Sequence, residues 1–154
     1  MLEYKKIDTA LTLRQGMKEL RDYEGENGDV ALKVGDEMQK VLKAHDSVHV
    51  VFGCDTSMDD EALAHFVMIF NTDVKFSDMR EVAKNKDHVH IVGNHKKIEI
   101  FKVLLGAGKD LFNVLKLKQQ MTKKWSWWGY EQYLDIPIIK IREEFKITPI
   151  SRSK

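Results

Sequence analysis

The sequence predicts an all-α protein built as a single-domain helical bundle, and three observations lead to this prediction. Apolar residues recur every three to four positions along several stretches, which is the spacing of an amphipathic helix. Polar segments with glycine, such as residues 24–29, separate these stretches. The length of 154 residues suits one domain with an adequate core. We therefore assign residues 1–150 to one helical domain and residues 151–154 to a polar C-terminal tail.

The N-terminal part predicts a first amphipathic helix over about residues 4–22. Four apolar residues mark its inward face: Ile7, Leu11, Met17 and Leu20. The polar segment 24–29 follows this helix, and a short helical piece is expected at residues 30–34.

A second helix is predicted from Asp36 to about Phe52, with Gly53 as its C-terminal stop. Its inward stripe contains Met38, Leu42, His45, His49 and Phe52. The β-branched run Val48–Val51 resembles a strand, but the longer helical period and the lack of turn residues favour a helix.

A third helix is predicted after Ser57, which suits an N-cap, with Asp60 in the capping-box position. It runs to about Phe70. Because only a short loop joins the second and third helices, we expect them to be neighbours. Glu61, in the first turn of the third helix, is then expected to come back toward His49.

Three segments of the C-terminal half differ in their sequence pattern. Residues 96–120 predict a helix, whereas residues 71–95 give no clear pattern. His88, His90 and His95 fit turn or surface positions better than a second metal site. A last helix is predicted from Pro137, with three residues inward (Ile138, Ile141, Phe145) and three outward (Arg142, Glu143, Glu144).

Three tryptophans, Trp125, Trp127 and Trp128, lie near Lys123 and Lys124. Aromatic rings beside lysines are typical of a protein surface that binds a membrane interface. The alternative is a loop whose tryptophans cover the core, and the sequence leaves both interpretations open.

Composition excludes several function classes. The formal net charge of +1 gives no argument for nucleic-acid binding. The single cysteine, Cys54, excludes an internal disulfide and suits a reducing compartment. No apolar run is long enough to cross a bilayer, and the N-terminus lacks the apolar core of a signal peptide. We expect a cytoplasmic protein, or one attached peripherally to the inner face of the membrane.

Four residues form the candidate site. His45 and His49 are one helical turn apart, Asp46 lies at the edge of their face, and Glu61 is expected nearby. Two imidazoles and two carboxylates make a mixed nitrogen and oxygen site for a divalent metal such as zinc or magnesium. A lone pair of histidines is common, and a buried histidine is usually just a hydrogen-bonded core residue. His65, four residues after Glu61, shares its helix face, although a packed or surface role is more common for such a histidine.

The arrangement His45-Asp46-x-x-His49, then eleven residues, then Glu61 resembles the signature of the coenzyme Q biosynthesis protein 4 family. The likeness is strong over residues 36–72 and weaker near the C-terminus. Further matching features are Asp36 and Glu37 at the helix start, Gly53, Thr56 and the segment 141–147. Asp60 departs from the family, which commonly has glycine there. The short chain without a targeting sequence suggests a bacterial-type member.

The resemblance implies an all-helical protein of ubiquinone biosynthesis that binds a divalent metal, usually zinc, with magnesium, manganese or cobalt as further candidates. Its ligands would be His45, Asp46, His49 and Glu61. It implies oxidative decarboxylation at ring C1 of a polyprenylated 4-hydroxybenzoate-type precursor, whose isoprenoid tail occupies an apolar tunnel. The implied partners are this lipid, a membrane surface and other quinone-biosynthesis proteins, and a homodimer is compatible with the prediction.

Two rival functions remain at this point. One is a non-catalytic scaffold that binds metal and prenyl lipid and organises the biosynthetic enzymes. The other is a hydrolase, which ranks lower because a zinc protease would require glutamate in place of Asp46. A structural zinc has a closed ligand set, whereas a catalytic one keeps a position open, so the role of Asp46 bears on this choice.

Overall fold

The computed structural model describes residues 2–25, 35–75, 77–78 and 108–150. Over these ranges it contains five α-helices: α1 (Leu13–Glu24), α2 (Asp36–Phe52), α3 (Met58–Asn71), α4 (Gly108–Gln120) and α5 (Ile138–Phe145). Short 3-10 turns lie at Glu3–Lys5 and Tyr130–Tyr133. Isolated bridges, but no strands, occur in the described ranges. The all-α prediction is therefore confirmed for these residues.

Some predictions fall on residues outside the described ranges. They are the helical piece at 30–34, the roles of His88, His90 and His95, the first part of the helix at 96–120, and the tail at 151–154.

Helix α1 begins later than the sequence pattern predicts. Thr12 is its N-cap: the Thr12 hydroxyl accepts from the Gln15 amide at 3.3 Å, and the Gln15 side chain accepts from the Thr12 amide at 2.9 Å. This reciprocal capping box satisfies two amide groups that a helix start leaves without partners. The predicted helix over 4–22 was therefore wrong before residue 13, and Ile7, which was expected inward, is 66% exposed.

Helix α2 is the centre of the fold and agrees with the prediction. All of its residues from Asp46 to Phe52 are buried, and it contacts α1, α3 and α5. Gly53 ends the helix in the left-handed region with φ of +79°, a conformation that glycine adopts without strain. A Cβ atom at this position would also lie 2.8 Å from Cβ of Pro149.

Helix α5 places its apolar residues as predicted, since Ile138, Ile141 and Phe145 are all buried. The outward prediction for Arg142 was wrong, because this side chain is only 3% exposed. Its guanidinium donates to four carbonyl oxygens, two in the last turn of α2 and two in the N-terminal segment: Val50, Val51, Tyr4 and Lys6. Carbonyl groups at a helix end lack partners within the helix, and a buried cation there also meets the negative end of the helix dipole.

The tryptophans divide between the core and the surface. Trp125 and Trp127 are almost fully buried, whereas Trp128 is 50% exposed. The Trp125 indole donates to the Ser47 hydroxyl on α2 at 3.1 Å, and its ring contacts Phe145. The interpretation in which tryptophans cover the core therefore describes Trp125 and Trp127. In the part of the chain that the structure describes, no helix combines the length and apolarity that a bilayer crossing requires.

Candidate metal centre

The end of α2 and the start of α3 bring three of the four predicted site residues together. His45 and His49 stand one turn apart on α2, with ring centres separated by 4.5 Å. Glu61, in the first turn of α3, has Oε1 3.5 Å from His49 Nε2 and Oε2 3.9 Å from His45 Nε2. One ligand atom from each residue lies within 4.8 Å of the other two. We call His45, His49 and Glu61 the trio.

His49 has the chemistry that a metal ligand requires. Its Nδ1 lies 3.1 Å from the carbonyl oxygen of Asp55, and because a carbonyl only accepts, Nδ1 carries the proton. The lone pair is then on Nε2, which is buried and has no hydrogen-bond partner among the described residues. Burial lowers the pKa of His49, so the ring is neutral at pH 7. A buried nitrogen without a partner costs free energy, and a metal ion in the trio would compensate it.

A buried charged cluster holds the loop that orients His49. Lys5 Nζ contacts Asp55 Oδ2 at 2.7 Å and Asp60 Oδ2 at 3.2 Å. Asp60 also accepts from the backbone amide of Asp55 at 2.9 Å. Burial raises the pKa of Asp55, but hydrogen bonds from Lys5 and Ser57 outweigh this and hold its pKa at about 2. The carbonyl that fixes the His49 tautomer therefore belongs to a firmly bonded loop.

Asp60 has a different role from the one its position suggested. Ser57 is the N-cap of α3 as predicted, and its hydroxyl accepts from the Asp60 amide at 3.4 Å. The Asp60 carboxylate turns toward Lys5 and the Asp55 amide, where it belongs to the buried cluster. The capping-box prediction for Asp60 was therefore wrong, because the Ser57 amide donates to Asp55 Oδ1 and not to the Asp60 carboxylate.

Asp46 is not part of the trio. It is 5% exposed and accepts from Arg21 Nε on α1 at 2.7 Å. Successive helix residues differ in direction by about 100°, so a neighbour of His45 need not face the same partner. Burial raises the pKa of Asp46 to about 7; Arg21 opposes this shift, and the carboxylates of Glu24 and Glu61 add to it.

Replacing Asp46 by asparagine is expected to flatten the pH dependence of stability. The pKa of about 7 in the folded state lies above the ordinary 3.8, so between these values the folded protein binds more protons than the unfolded chain. The free energy of unfolding of the native protein should then fall as the pH rises from about 4 to about 7, and the variant should lack this contribution. Urea unfolding at several pH values measures both slopes.

The exposed Asp22→Asn variant provides the control, because it leaves Asp46 intact and should retain the native slope. Equal slopes for the Asp46→Asn variant and the native protein would show that Asp46 does not titrate in this range.

The trio is open to solvent on one side. The side chains of His45 and Glu61 are 22% and 35% exposed, whereas that of His49 is 1% exposed. His65, on α3 one turn after Glu61, lies at this open side with its ring centre 5.6 Å from that of His45. The arrangement thus offers two imidazole nitrogens and a carboxylate to a divalent metal, and leaves room for a further ligand.

Comparisons of the chain with protein-family models, with curated proteins and with solved structures found no match. The likeness to the coenzyme Q biosynthesis protein 4 family therefore stays a prediction that rests on the motif residues.

Proposed function

We propose that this chain is a metal-dependent protein of ubiquinone biosynthesis that acts on a polyprenylated aromatic precursor. The observation that carries the proposal is the convergence of His45, His49 and Glu61, which the sequence spaces as in the family signature. The buried lone pair on His49 Nε2 supports the metal part of the proposal, because no described residue forms a hydrogen bond with it.

The proposed reaction exchanges the carboxyl group at ring C1 for a hydroxyl group, which releases carbon dioxide and consumes an external oxidant. His45, His49 and Glu61 would hold the divalent metal, zinc in the first place. A bound divalent metal supplies Lewis-acid stabilisation of negative charge on ring oxygens. The partly exposed His45 and Glu61 provide the side from which a ring can approach. An apolar tunnel for the tail and a peripheral membrane contact belong to the same proposal.

The burial of His49 favours a second candidate function, a non-catalytic scaffold with a structural metal. His49 belongs to α2 and Glu61 to α3, so a metal between them would cross-link two helices next to the core. Structural metal sites contribute directly to folding stability. In this alternative the protein organises other quinone-biosynthesis enzymes without acting on the ring.

Glu61→Gln separates the two functions, since it keeps the size of the side chain and removes its charge. The variant would replace the native protein in a host that makes ubiquinone, and its lipids would be measured by mass spectrometry. We expect one carboxylated, prenylated precursor to accumulate while ubiquinone falls, because one chemical step is lost. Glu143→Gln, on an exposed surface ion pair, is the matched control.

If the protein is a scaffold, the levels of several intermediates should fall together in the Glu61→Gln variant. The variant should then also lose its binding to partner proteins. Normal ubiquinone in cells with a folded, metal-depleted Glu61→Gln variant would contradict the enzymatic proposal.

A further inference from the structure

The trio supplies three ligand atoms, but zinc sites in proteins are usually four-coordinate and tetrahedral. Asp46 was the expected fourth ligand. Its carboxylate instead receives hydrogen bonds from Arg21 and is buried against α1. A fourth protein ligand would therefore have to come from another residue near the open side of the trio.

His65 lies close to two members of the trio, Glu61 and His45. Its Nδ1 is 3.9 Å from Glu61 Oε2, which is the same separation as that between His45 Nε2 and this oxygen. With metal–ligand distances of about 2.0–2.1 Å, two ligand atoms on a tetrahedral zinc lie roughly 3.4 Å apart and two ring centres roughly 5 Å apart. The ring centres of His65 and His45 are 5.6 Å apart, only slightly more than this value.

The side chain of His65 is held only weakly in its position. It is 58% exposed, and its Nδ1 donates to the carbonyl oxygen of Glu61 one turn earlier at 2.7 Å. An exposed hydrogen bond of this kind contributes little net free energy, because water replaces it. To bind a metal through Nδ1, the ring must release this hydrogen bond and carry its proton on Nε2 instead.

We propose that His65 is the fourth protein ligand of the metal and takes the place expected for Asp46. This inference rests on the metal part of the proposed function. With four protein ligands the tetrahedral set is closed, so a ring could reach the metal only by displacing His65 or by expanding the coordination to five. His65 makes the site three imidazoles and one carboxylate. Such a set suits zinc or cobalt, whereas magnesium prefers a shell of oxygen atoms. The inference thus also selects the metal: zinc should bind far more tightly than magnesium.

X-ray absorption at the zinc edge counts the imidazole ligands directly. We expect three imidazoles in the zinc-loaded native protein and two in His65→Ala, with roughly a 100-fold loss of zinc affinity, since even residues that only orient a ligand commonly contribute 10–100-fold. Asp46→Asn is the matched comparison and should keep three imidazoles. His65→Gln, checked for helix content by circular dichroism, replaces His65→Ala if the smaller side chain disturbs α3.

The outcomes separate this inference from the proposed function. Two imidazoles in the native protein, with unchanged zinc affinity after loss of His65, would overturn the inference and leave the trio as the metal site. A native protein that takes up no zinc would overturn both. Loss of one imidazole only in the His65 variant would support the assignment.

Discussion

Replacing His49 by alanine is expected to lower the affinity for zinc by at least about 100-fold. His49 is the buried member of the trio. The Asp55 carbonyl fixes its tautomer, and within the described ranges its Nε2 forms no hydrogen bond. The variant loses one ligand and opens the core next to the remaining two. Calorimetric titration of metal-free protein with zinc measures the change.

Lys40→Ala, an exposed position on the same helix, provides the control and should bind zinc like the native protein. The titrations are carried out at a temperature at which circular dichroism shows that both variants are folded. Equal zinc affinity in the native protein and in His49→Ala would exclude His49 as a ligand.

Replacing Arg142 by methionine is expected to lower the free energy of unfolding by about 3–5 kcal/mol. Methionine keeps much of the length but donates no hydrogen bond, so three buried carbonyl groups and a partly buried one lose a donor at once. Burial lowers the pKa of Arg142 only to about 10, so the native side chain is charged at pH 7 and is satisfied by these carbonyls. Urea unfolding monitored by circular dichroism gives the difference.

Arg14→Met is the matched control for this measurement. Arg14 pairs with Asp135 on the surface, where the Arg14 side chain is 60% exposed. Exposed ion pairs contribute about 0–1 kcal/mol, so the control should change stability little. A loss below about 1 kcal/mol for Arg142→Met would show that water replaces the guanidinium easily.

The part of the site that the sequence predicts correctly depends on local signals. The helical period, Gly53 and the Ser57 cap fix α2, its end and the start of α3 within a few residues. Because the connection between these helices is short, the start of α3 lies beside the end of α2, and this brings Glu61 close to His49. These signals suffice to predict the trio.

Other features depend on contacts between residues far apart in the chain. Arg142 bonds to Val51 across 91 positions, and Lys5 bonds to Asp55 across 50. A periodicity argument assigns a charged residue to the surface, and it gives no sign of unpaired carbonyls at the end of another helix. Periodicity could therefore predict neither the inward side chain of Arg142 nor the buried charged cluster of Lys5, Asp55 and Asp60.

Asp46 shows the limit of spacing arguments within one helix. Its position beside His45 is compatible with a metal ligand and with an outward or sideways contact. The packing of α1 decides between them, because it brings Arg21 to the Asp46 carboxylate. Conversely, His65 shares a face with Glu61, and only the three-dimensional arrangement shows its ring 5.6 Å from that of His45.

Anomalous diffraction at the zinc edge, from crystals of the zinc-loaded protein, tests the central claim most directly. We expect one strong peak per chain, about 2.0–2.2 Å from a nitrogen of His45, Nε2 of His49 and an oxygen of Glu61. Data collected on both sides of the edge identify the metal as zinc. No peak between these three side chains, or a peak only at surface residues, would contradict the account.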